Sequence, residues 1–205
     1  MAYILGFFTA DGSMLRNRRG AHFIEFQITD KDLLFKIRKA LGSNHKIADR
    51  KRDGNWKTIY RLQIGSRKIF DDLLSLGISL RKSKTILLPK IPDKYFPHFS
   101  RGYFDGDGNV ASTKYKRADR RGRFYATVLS GFTSGSKIFL EAMHYRLKKL
   151  TGISGGTLYF HGRGHRLYFS VKDSLVLYNF MYNDMDNDLF LTRKKKVFEK
   201  YFDIR

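Results

Sequence analysis

The chain has 205 residues, of which 42% are hydrophobic and 15% aromatic, so it can bury a core and is neither a disordered tail nor a linker. Lysine and arginine total 40 against 19 aspartates and glutamates, and the formal charge of +21 indicates a polyanionic partner, most often nucleic acid. The absence of cysteine excludes disulfides, thiolate zinc sites and cysteine-dependent catalysis.

The N-terminal residues 1–8 are apolar, but this run is too short for a membrane span and runs straight into Asp11. No apolar run approaches the roughly 18 residues that span a bilayer, and no signal-peptide pattern opens the chain. We therefore expect an intracellular, soluble protein without a membrane partner.

In the first half, the sequence predicts the order helix, hairpin, helix, hairpin, helix. After the opening helix, alternation of apolar and polar residues over 24–28 predicts a strand. A helical apolar pattern follows and ends at Gly42, and a turn sequence at 53–55 predicts the second hairpin. An apolar pattern over 69–74 predicts the last helix, and a basic cluster at 81–84 closes the half.

The second half repeats these features in the same order. Alternation over 124–128 predicts a strand, and a helical pattern ends at Gly152. A glycine-rich turn at 162–164 predicts the hairpin, residues 175–180 predict a helix, and a basic cluster lies at 193–196. We interpret this recurrence as a duplication.

All three prolines, Pro89, Pro92 and Pro97, fall within one short stretch between the repeats. Proline removes a backbone donor and disfavours helix in the residue before it, so the cluster predicts a connector. We therefore divide the chain into an N-terminal half (1–88), a linker (89–97) and a C-terminal half (98–205). The predicted fold class is α+β, with two tandem αββαββα-type repeats.

Each opening helix carries small residues four positions apart, Gly6 and Ala10 in the first and Gly102 and Gly106 in the second. Residues four apart share one helix face, and a face without large side chains lets another backbone approach closely. We therefore predict that the two opening helices pack against each other at these residues. Their large aromatic residues then point into the core of their own half.

Each opening helix also ends in Asp-Gly, at Asp11 and Asp107. A carboxylate at a helix C-terminus meets the negative end of the helix dipole, and two such groups side by side repel each other. This arrangement indicates a divalent cation, and oxygen ligands suit Mg²⁺. A lone Asp-Gly is more often a simple turn, but two copies at matching places in a basic, duplicated chain favour metal-dependent phosphodiester cleavage.

The segments Leu5-Gly6-Phe7-Phe8-Thr9-Ala10-Asp11-Gly12 and Arg101-Gly102-Tyr103-Phe104-Asp105-Gly106-Asp107-Gly108 resemble the two signature motifs of LAGLIDADG homing endonucleases. Element order, repeat length and the basic clusters extend the resemblance over nearly the whole chain. It implies a pseudo-two-fold monomer whose motif helices form the interface and whose antiparallel saddle sheets lie in the DNA major groove. It also implies recognition of a long, partly asymmetric site in double-stranded DNA, with one phosphodiester hydrolysed per strand.

By position, the resemblance implies that Asp11 and Asp107 bind Mg²⁺, together with the backbone carbonyls of Ala10 and Gly106. Mn²⁺ or Ca²⁺ can replace Mg²⁺ for binding. The basic clusters lie where the family keeps a lysine near the scissile phosphate, and such a lysine can stabilise transition-state charge. A solvated helix end is the alternative interpretation. The matched candidates are Lys82 with Lys194, and Lys84 with Lys196.

If the strands lie in the groove, their polar faces meet base edges, where arginine suits guanine and glutamine suits adenine. The strand candidates are Glu25, Gln27, Arg61, Gln63, Tyr125, Thr127, His165, Arg166 and Tyr168. Basic loops and turns position a protein on phosphates rather than reading sequence. The remaining candidates are Arg16, Arg18, Arg19, Arg50, Lys51, Arg52, Lys57, Lys114, Lys116, Arg117, Arg120, Arg121, Arg123, His161 and Arg163. For any one of them, a solvated face is the alternative.

Two other interpretations stay open. One is an RNA maturase that aids splicing, with intron RNA as its partner, and the other is a DNA-binding regulator that keeps the fold without cutting. Loss of either motif aspartate would favour binding alone, and both aspartates are present. A basic ribosomal-type protein would not explain the paired motifs.

Overall fold

The computed structural model describes residues 1–50, 57–80, 84–116, 124–183, 185 and 188–204. Two halves repeat the order helix, hairpin, helix, hairpin, helix, so the predicted α+β class with two tandem repeats is confirmed. The first half comprises α1 (Ala2–Asp11), β1 (Ser13–Arg16), β2 (His22–Ile28), α2 (Lys31–Ala40), β3 (Ile47–Arg50), β4 (Ile59–Gly65) and α3 (Arg67–Ser75). The second comprises α4 (Phe96–Asp107), β5 (Gly108–Lys116), β6 (Phe124–Ser134), α5 (Lys137–Thr151), β7 (Thr157–His161), β8 (Gly164–Phe169), α6 (Val171–Tyr182) and α7 (Thr192–Ile204).

Each half holds one four-stranded antiparallel sheet, ordered β1-β2-β4-β3 in the first half and β5-β6-β8-β7 in the second. The two hairpins of each sheet join through their inner strands, where Phe26 faces Leu62 and Phe132 faces Leu167. All four of these side chains are fully buried. Because side chains alternate along a strand, the face that carries them packs on the helices and the other face is turned away from the core. We call this other face the open face of each sheet.

The two halves have equivalent hydrophobic cores. Phe8 of α1 packs edge-on against Phe26 with ring centroids 5.3 Å apart, and Phe104 of α4 packs in the same way against Phe132 at 5.7 Å. The aromatic residues of each motif helix therefore point into the core of their own half, as expected. The repeated ring pair also defines which positions of the two sheets correspond.

Helices α1 and α4 pack against each other at backbone distance. A Cβ added at Gly6 would lie 2.1 Å from the Phe99 carbonyl oxygen, and a Cβ added at Gly102 would lie 2.0 Å from the Tyr3 carbonyl oxygen. Real Cβ atoms do not approach other atoms this closely, so each helix requires glycine where the other crosses it.

Two segments exchange residues between the halves. Leu189 and Leu191, which precede α7 in the second half, are buried in the core of the first half. Ile86 and Ile91, which precede α4, are buried in the core of the second half. Each half therefore completes the core of the other, and the two depend on each other for stability.

A short 3₁₀ turn at Asp93–Tyr95 leads into α4, which begins at Phe96 and has Pro97 in its first turn. Proline is favoured there because the first helical N–H groups have no partner within the helix. The second motif helix thus begins well before the motif itself, whereas α1 begins at Ala2. Within the described residues, no helix has both the length and the apolar composition that crossing a bilayer requires.

The helix contact generates a stability prediction. Gly102→Ala forces a methyl group into the α1 backbone, and such overpacking costs about 2 kcal/mol or more of unfolding free energy. For a chain of this size, we expect the melting temperature to fall by roughly 4–8 °C in calorimetry. Gly65→Ala is the matched control, because its Cβ meets only the Phe23 ring at an ordinary 3.4 Å. Equal melting temperatures for the two variants would contradict the close helix contact.

Candidate functional site

Asp11 and Asp107 are the last residues of α1 and α4. A Cβ added at Gly106 would lie 2.4 Å from the Ala10 Cβ and 3.4 Å from the Asp11 Oδ2, so the Asp11 carboxylate lies against the last turn of α4. Burial and then the charges of Asp107 and Asp11 raise the pKa of the Tyr103 hydroxyl well above its ordinary value. Both carboxylates therefore lie at the same end of the helix pair, above Tyr103.

The donor atoms at this place fit Mg²⁺. The described residues contain no group of three or more histidine, cysteine, aspartate or glutamate side chains that could hold a metal ion. Mg²⁺ is commonly bound by only one or two carboxylates and completed by water and substrate phosphate. The carboxylates of Asp11 and Asp107, with the Ala10 carbonyl in the same helix turn, supply an oxygen-only set of this kind.

Lys194 belongs to the first turn of α7, and its side chain packs against the C-terminal end of α4. Its Nζ is within hydrogen-bond distance of four carbonyl oxygens, those of Phe104 (2.7 Å), Asp105 (2.9 Å), Gly106 (3.2 Å) and Gly108 (2.7 Å). These carbonyls belong to the last turn and cap of α4, where an ammonium group stabilises the negative end of the helix dipole. The Gly106 carbonyl, a predicted metal ligand, therefore already accepts a hydrogen bond from Lys194.

Lys194 is 8% exposed, and its burial lowers the pKa of the side chain to about 8. Arg193 also lowers this pKa, whereas Asp105, Asp11 and Asp107 raise it. Lys194 is therefore protonated at neutral pH and loses its proton just above it.

The structure separates the four lysine candidates. Lys194 is buried against α4, whereas Lys196 is exposed on α7 and Lys84 is exposed after α3. Lys82 lies outside the described residues. The alternative interpretation of a solvated helix end therefore fits Lys196 but not Lys194.

A buried polar network, which the sequence patterns did not predict, holds α4 to the segment before α7. Asp105 is 1% exposed, and its Oδ2 accepts hydrogen bonds from the Tyr3 hydroxyl (2.7 Å) and the Leu191 amide (2.8 Å). Arg101, equally buried, donates to the carbonyls of Leu189 (3.0 Å) and Met181 (2.6 Å). These contacts place the start of α7, and with it Lys194, beside the aspartates.

The first sheet presents polar side chains on its open face. Glu25 pairs with Gln63 and Gln27 with Arg61 across β2 and β4, and all four lie on this face. Arg50, at the end of β3, also lies on this face, because it pairs with Ile59, which is two residues before Arg61 in β4 and therefore shares its face. Glu25 is only 5% exposed because its neighbours cover it.

The second sheet presents tyrosines on its open face. Tyr115 and Tyr125 lie with ring centroids 6.2 Å apart, as do Tyr159 and Tyr168. Further predicted residues on this face are Thr127, His161 and Arg166. His165 points to the opposite face, where its ring lies 5.1 Å from Phe160. His161 and His165 therefore do not lie together.

Several basic candidates lie in turns. Arg18 and Arg19 form the tip of the β1–β2 hairpin, where the Asn17 side chain accepts hydrogen bonds from the Arg19 and Ala21 amides. Arg163 forms the tip of the β7–β8 hairpin, and Lys57 is exposed before β4.

Other basic candidates lie in strands rather than loops. Arg16 ends β1 opposite His22, and the prediction that Lys114 and Lys116 belong to a loop is wrong, because β5 pairs with β6 as far as Lys116. Both lysines lie on the face opposite Tyr115, and Lys114 Nζ stands 4.8 Å from the Phe124 ring centroid. Candidates outside the described residues are Lys51, Arg52, Arg117, Arg120, Arg121 and Arg123.

Residues 1–76 match the family model of the LAGLIDADG-like domain. An uncharacterized protein of Methanocaldococcus jannaschii, MJ0398, is 26% identical over 121 residues, which span 56% of this chain and 40% of that protein. The structure is similar to I-SmaMI bound to an uncleaved DNA target with calcium ions, at a TM-score of 0.66 and 16% identity over 99% of this chain and 89% of that one. It is also similar to the LAGLIDADG homing endonuclease I-LtrWI bound to target DNA, at 0.63 and 14% over 99% and 88%. At these identities the likeness shows the fold: that of LAGLIDADG meganucleases over nearly the whole chain.

The Asp105 network generates a pH prediction. Burial raises the pKa of Asp105 from 3.8 to about 6, although Tyr3, Leu191, Lys194 and Arg101 all act to lower it. Protonation of Asp105 is therefore favoured by folding. The contribution of this raised pKa to the unfolding free energy is fully present below pH 4 and is lost as the pH rises through about 6.

We expect Asp105→Asn, which mimics the protonated acid, to match the parent protein at pH 4 and to exceed it at pH 7. The gain is at most about 3 kcal/mol in unfolding free energy. Denaturant titrations of both proteins between pH 4 and 7 measure this difference. A difference that does not change with pH would contradict the raised pKa.

Proposed function

We propose that this protein, whose residues 1–76 match the LAGLIDADG-like domain and whose chain has the meganuclease fold, is a site-specific double-strand DNA endonuclease. The observation that carries the proposal is the convergence of Asp11, Asp107 and buried Lys194 at one end of the α1–α4 pair. Two carboxylates at helix C-termini are unfavourable for stability, but together with a neighbouring cation they make a suitable site for phosphodiester hydrolysis.

The relatives support this proposal. I-SmaMI and I-LtrWI share the fold and are described bound to DNA targets, I-SmaMI with calcium ions.

Asp11 and Asp107 would hold Mg²⁺, together with the carbonyls of Ala10 and Gly106. When bound, the metal supplies an activated water and neutralises charge on the phosphate. Lys194 carries the proton at its Nζ at neutral pH and lies beside the last turn of α4, so it offsets negative charge that develops on the phosphate in the transition state. The glycine contact of α1 and α4 holds the two carboxylates in fixed relative positions, which reduces the cost of ordering them during the reaction.

The open faces would lie in the major groove and read base edges, while the hairpin tips contact phosphates. The first sheet offers arginine and glutamine side chains, whereas the second offers mainly tyrosine rings. Because the two reading surfaces differ, the target is long and only partly palindromic. One chain supplies both halves, so the active form is a monomer.

A cleavage selection tests the function. The purified protein is incubated with Mg²⁺ and a randomised duplex library, and the cut ends are sequenced. Double-strand breaks at one long sequence support a site-specific endonuclease and identify its target. Tight binding to duplex DNA or to intron RNA without any cutting would instead favour the regulator or the maturase.

Replacing one motif aspartate at a time tests the contribution of each aspartate to the cleavage of the two DNA strands. We expect Asp11→Asn or Asp107→Asn to reduce double-strand cleavage at least 100-fold while binding in Ca²⁺ changes little, because the carboxylates act on the reaction rather than on affinity. Gel analysis of a labelled duplex measures both strands. Asp71→Asn on α3 removes the same charge from an exposed helix face and serves as the control. Full double-strand cutting by an Asp11→Asn, Asp107→Asn double variant would contradict the assignment.

The two lysines of α7 offer a matched pair. Lys194→Met removes the buried ammonium group from the α4 C-terminus, and we expect cleavage to fall roughly 10- to 100-fold. Lys196→Met removes the same charge from an exposed position, and we expect less than a threefold change. Single-turnover rates at saturating protein measure the effect, and circular dichroism checks the fold. Equal effects of the two substitutions would remove Lys194 from the site.

A further inference from the structure

Among the described residues, the open face of the first sheet carries one acid, Glu25 in the middle of β2. Its residue exposure is 5%, although it lies on the face turned away from the core. A carboxylate on a surface that meets the DNA polyanion opposes binding unless it is paired. Its burial therefore requires partners on the open face itself.

Three reading side chains surround the Glu25 carboxylate. The Gln27 amide donates from Nε2 to Oε1 at 2.5 Å, and the Gln63 amide donates from Nε2 to Oε2 at 3.4 Å. The Arg61 guanidinium pairs with the same Oε2, with Nη1 at 3.6 Å. Arg61 remains half-exposed, at 48% of its side chain, so its outer N–H groups still face the space in front of the sheet.

These contacts set the direction of each reading group. Both glutamine NH₂ groups turn towards Glu25, so each amide oxygen faces away from the carboxylate and one N–H remains for a second acceptor. An adenine edge requires this pair, one acceptor and one donor, from a glutamine, and a guanine edge takes two donors from an arginine. Side chains that are already ordered lose less entropy on binding.

The second sheet has glycine at the position that corresponds to Glu25. Phe132 corresponds to Phe26, because each packs on the matching motif phenylalanine, and the residue before it is Gly131 instead of Glu25. A Cβ at Gly131 would lie 2.3 Å from the Leu167 carbonyl oxygen, so this position admits no side chain. Within the part of the chain that the structure describes, the acid-centred cluster thus belongs to the first half alone.

We propose that Glu25 is a positioning residue for sequence recognition: it fixes Gln27, Arg61 and Gln63 in one arrangement that reads purine edges. This inference rests on the proposed function, in that the open face must lie in the major groove. Glu25 itself then does not need to contact a base, since its carboxylate oxygens are already occupied.

The test is a binding selection on a randomised duplex in Ca²⁺, with the parent protein, Glu25→Gln and the control Asp71→Asn. We expect the parent and Asp71→Asn to prefer purines at the few base pairs under the first sheet. Glu25→Gln should lose about tenfold of that preference, with no change at base pairs under the second sheet. Unchanged preference in Glu25→Gln, or an equal loss under both sheets together with a lower melting temperature, would overturn the positioning role.

A second measurement does not depend on DNA. In proton–nitrogen spectra of the free protein, we expect the side-chain NH₂ groups of Gln27 and Gln63 to give the signals of one fixed conformation in the parent. In Glu25→Gln we expect signals averaged over several interconverting conformations. Averaged signals already in the parent would overturn the proposal whether or not duplex binding is found. If the parent selects no duplex but its glutamine amides are ordered, the proposed function fails. The side-chain arrangement around Glu25 then stands, but its role in recognising bases is overturned as well.

Discussion

The contact between α1 and α4 is the constraint on which the rest of the molecule depends. Gly6 and Gly102 each face a backbone carbonyl of the other helix, so the two axes come as close as backbones allow. The C-terminal ends then meet, and with them Asp11 and Asp107. Two negative dipole ends and two carboxylates in one place are unfavourable, and the ammonium group of Lys194, brought in by a third helix, offsets part of that repulsion.

Local periodicity predicted much of this fold. Alternation along the strands gave the sheet faces, and small residues four apart gave the helix contact, because both depend only on neighbours in sequence. The choice between Lys194 and Lys196 was beyond the sequence, since it depends on the direction of α7, which Arg101 and Asp105 fix through Leu189 and Leu191. The strand character of residues 114–116 was missed for a similar reason: pairing with β6 extends past the apolar pattern.

The two halves show how a duplicated frame diverges. Core positions keep the same aromatic pairs, since the space between helix and sheet is fixed by packing. The open faces carry no such constraint. The first sheet has Glu25 with its arginine and glutamine neighbours there, whereas the second sheet has tyrosines and has Gly131 at the position that corresponds to Glu25. The proposed function accounts for this difference, because two identical faces in the major groove would select a palindrome rather than an asymmetric target.

Burying the charges of Arg101 and Asp105 between the two halves costs desolvation free energy, and an apolar pair of similar volume is often no less stable. Their partners explain why such a pair would not serve. Arg101 donates hydrogen bonds to the Leu189 and Met181 carbonyls, and Asp105 accepts them from the Leu191 amide and the Tyr3 hydroxyl, whereas an apolar pair could make none of these bonds. The segment they hold places leucines in the first core and Lys194 beside α4. The cationic side of the second half's site is thus positioned by contacts that begin at Tyr3, in the first helix of the other half.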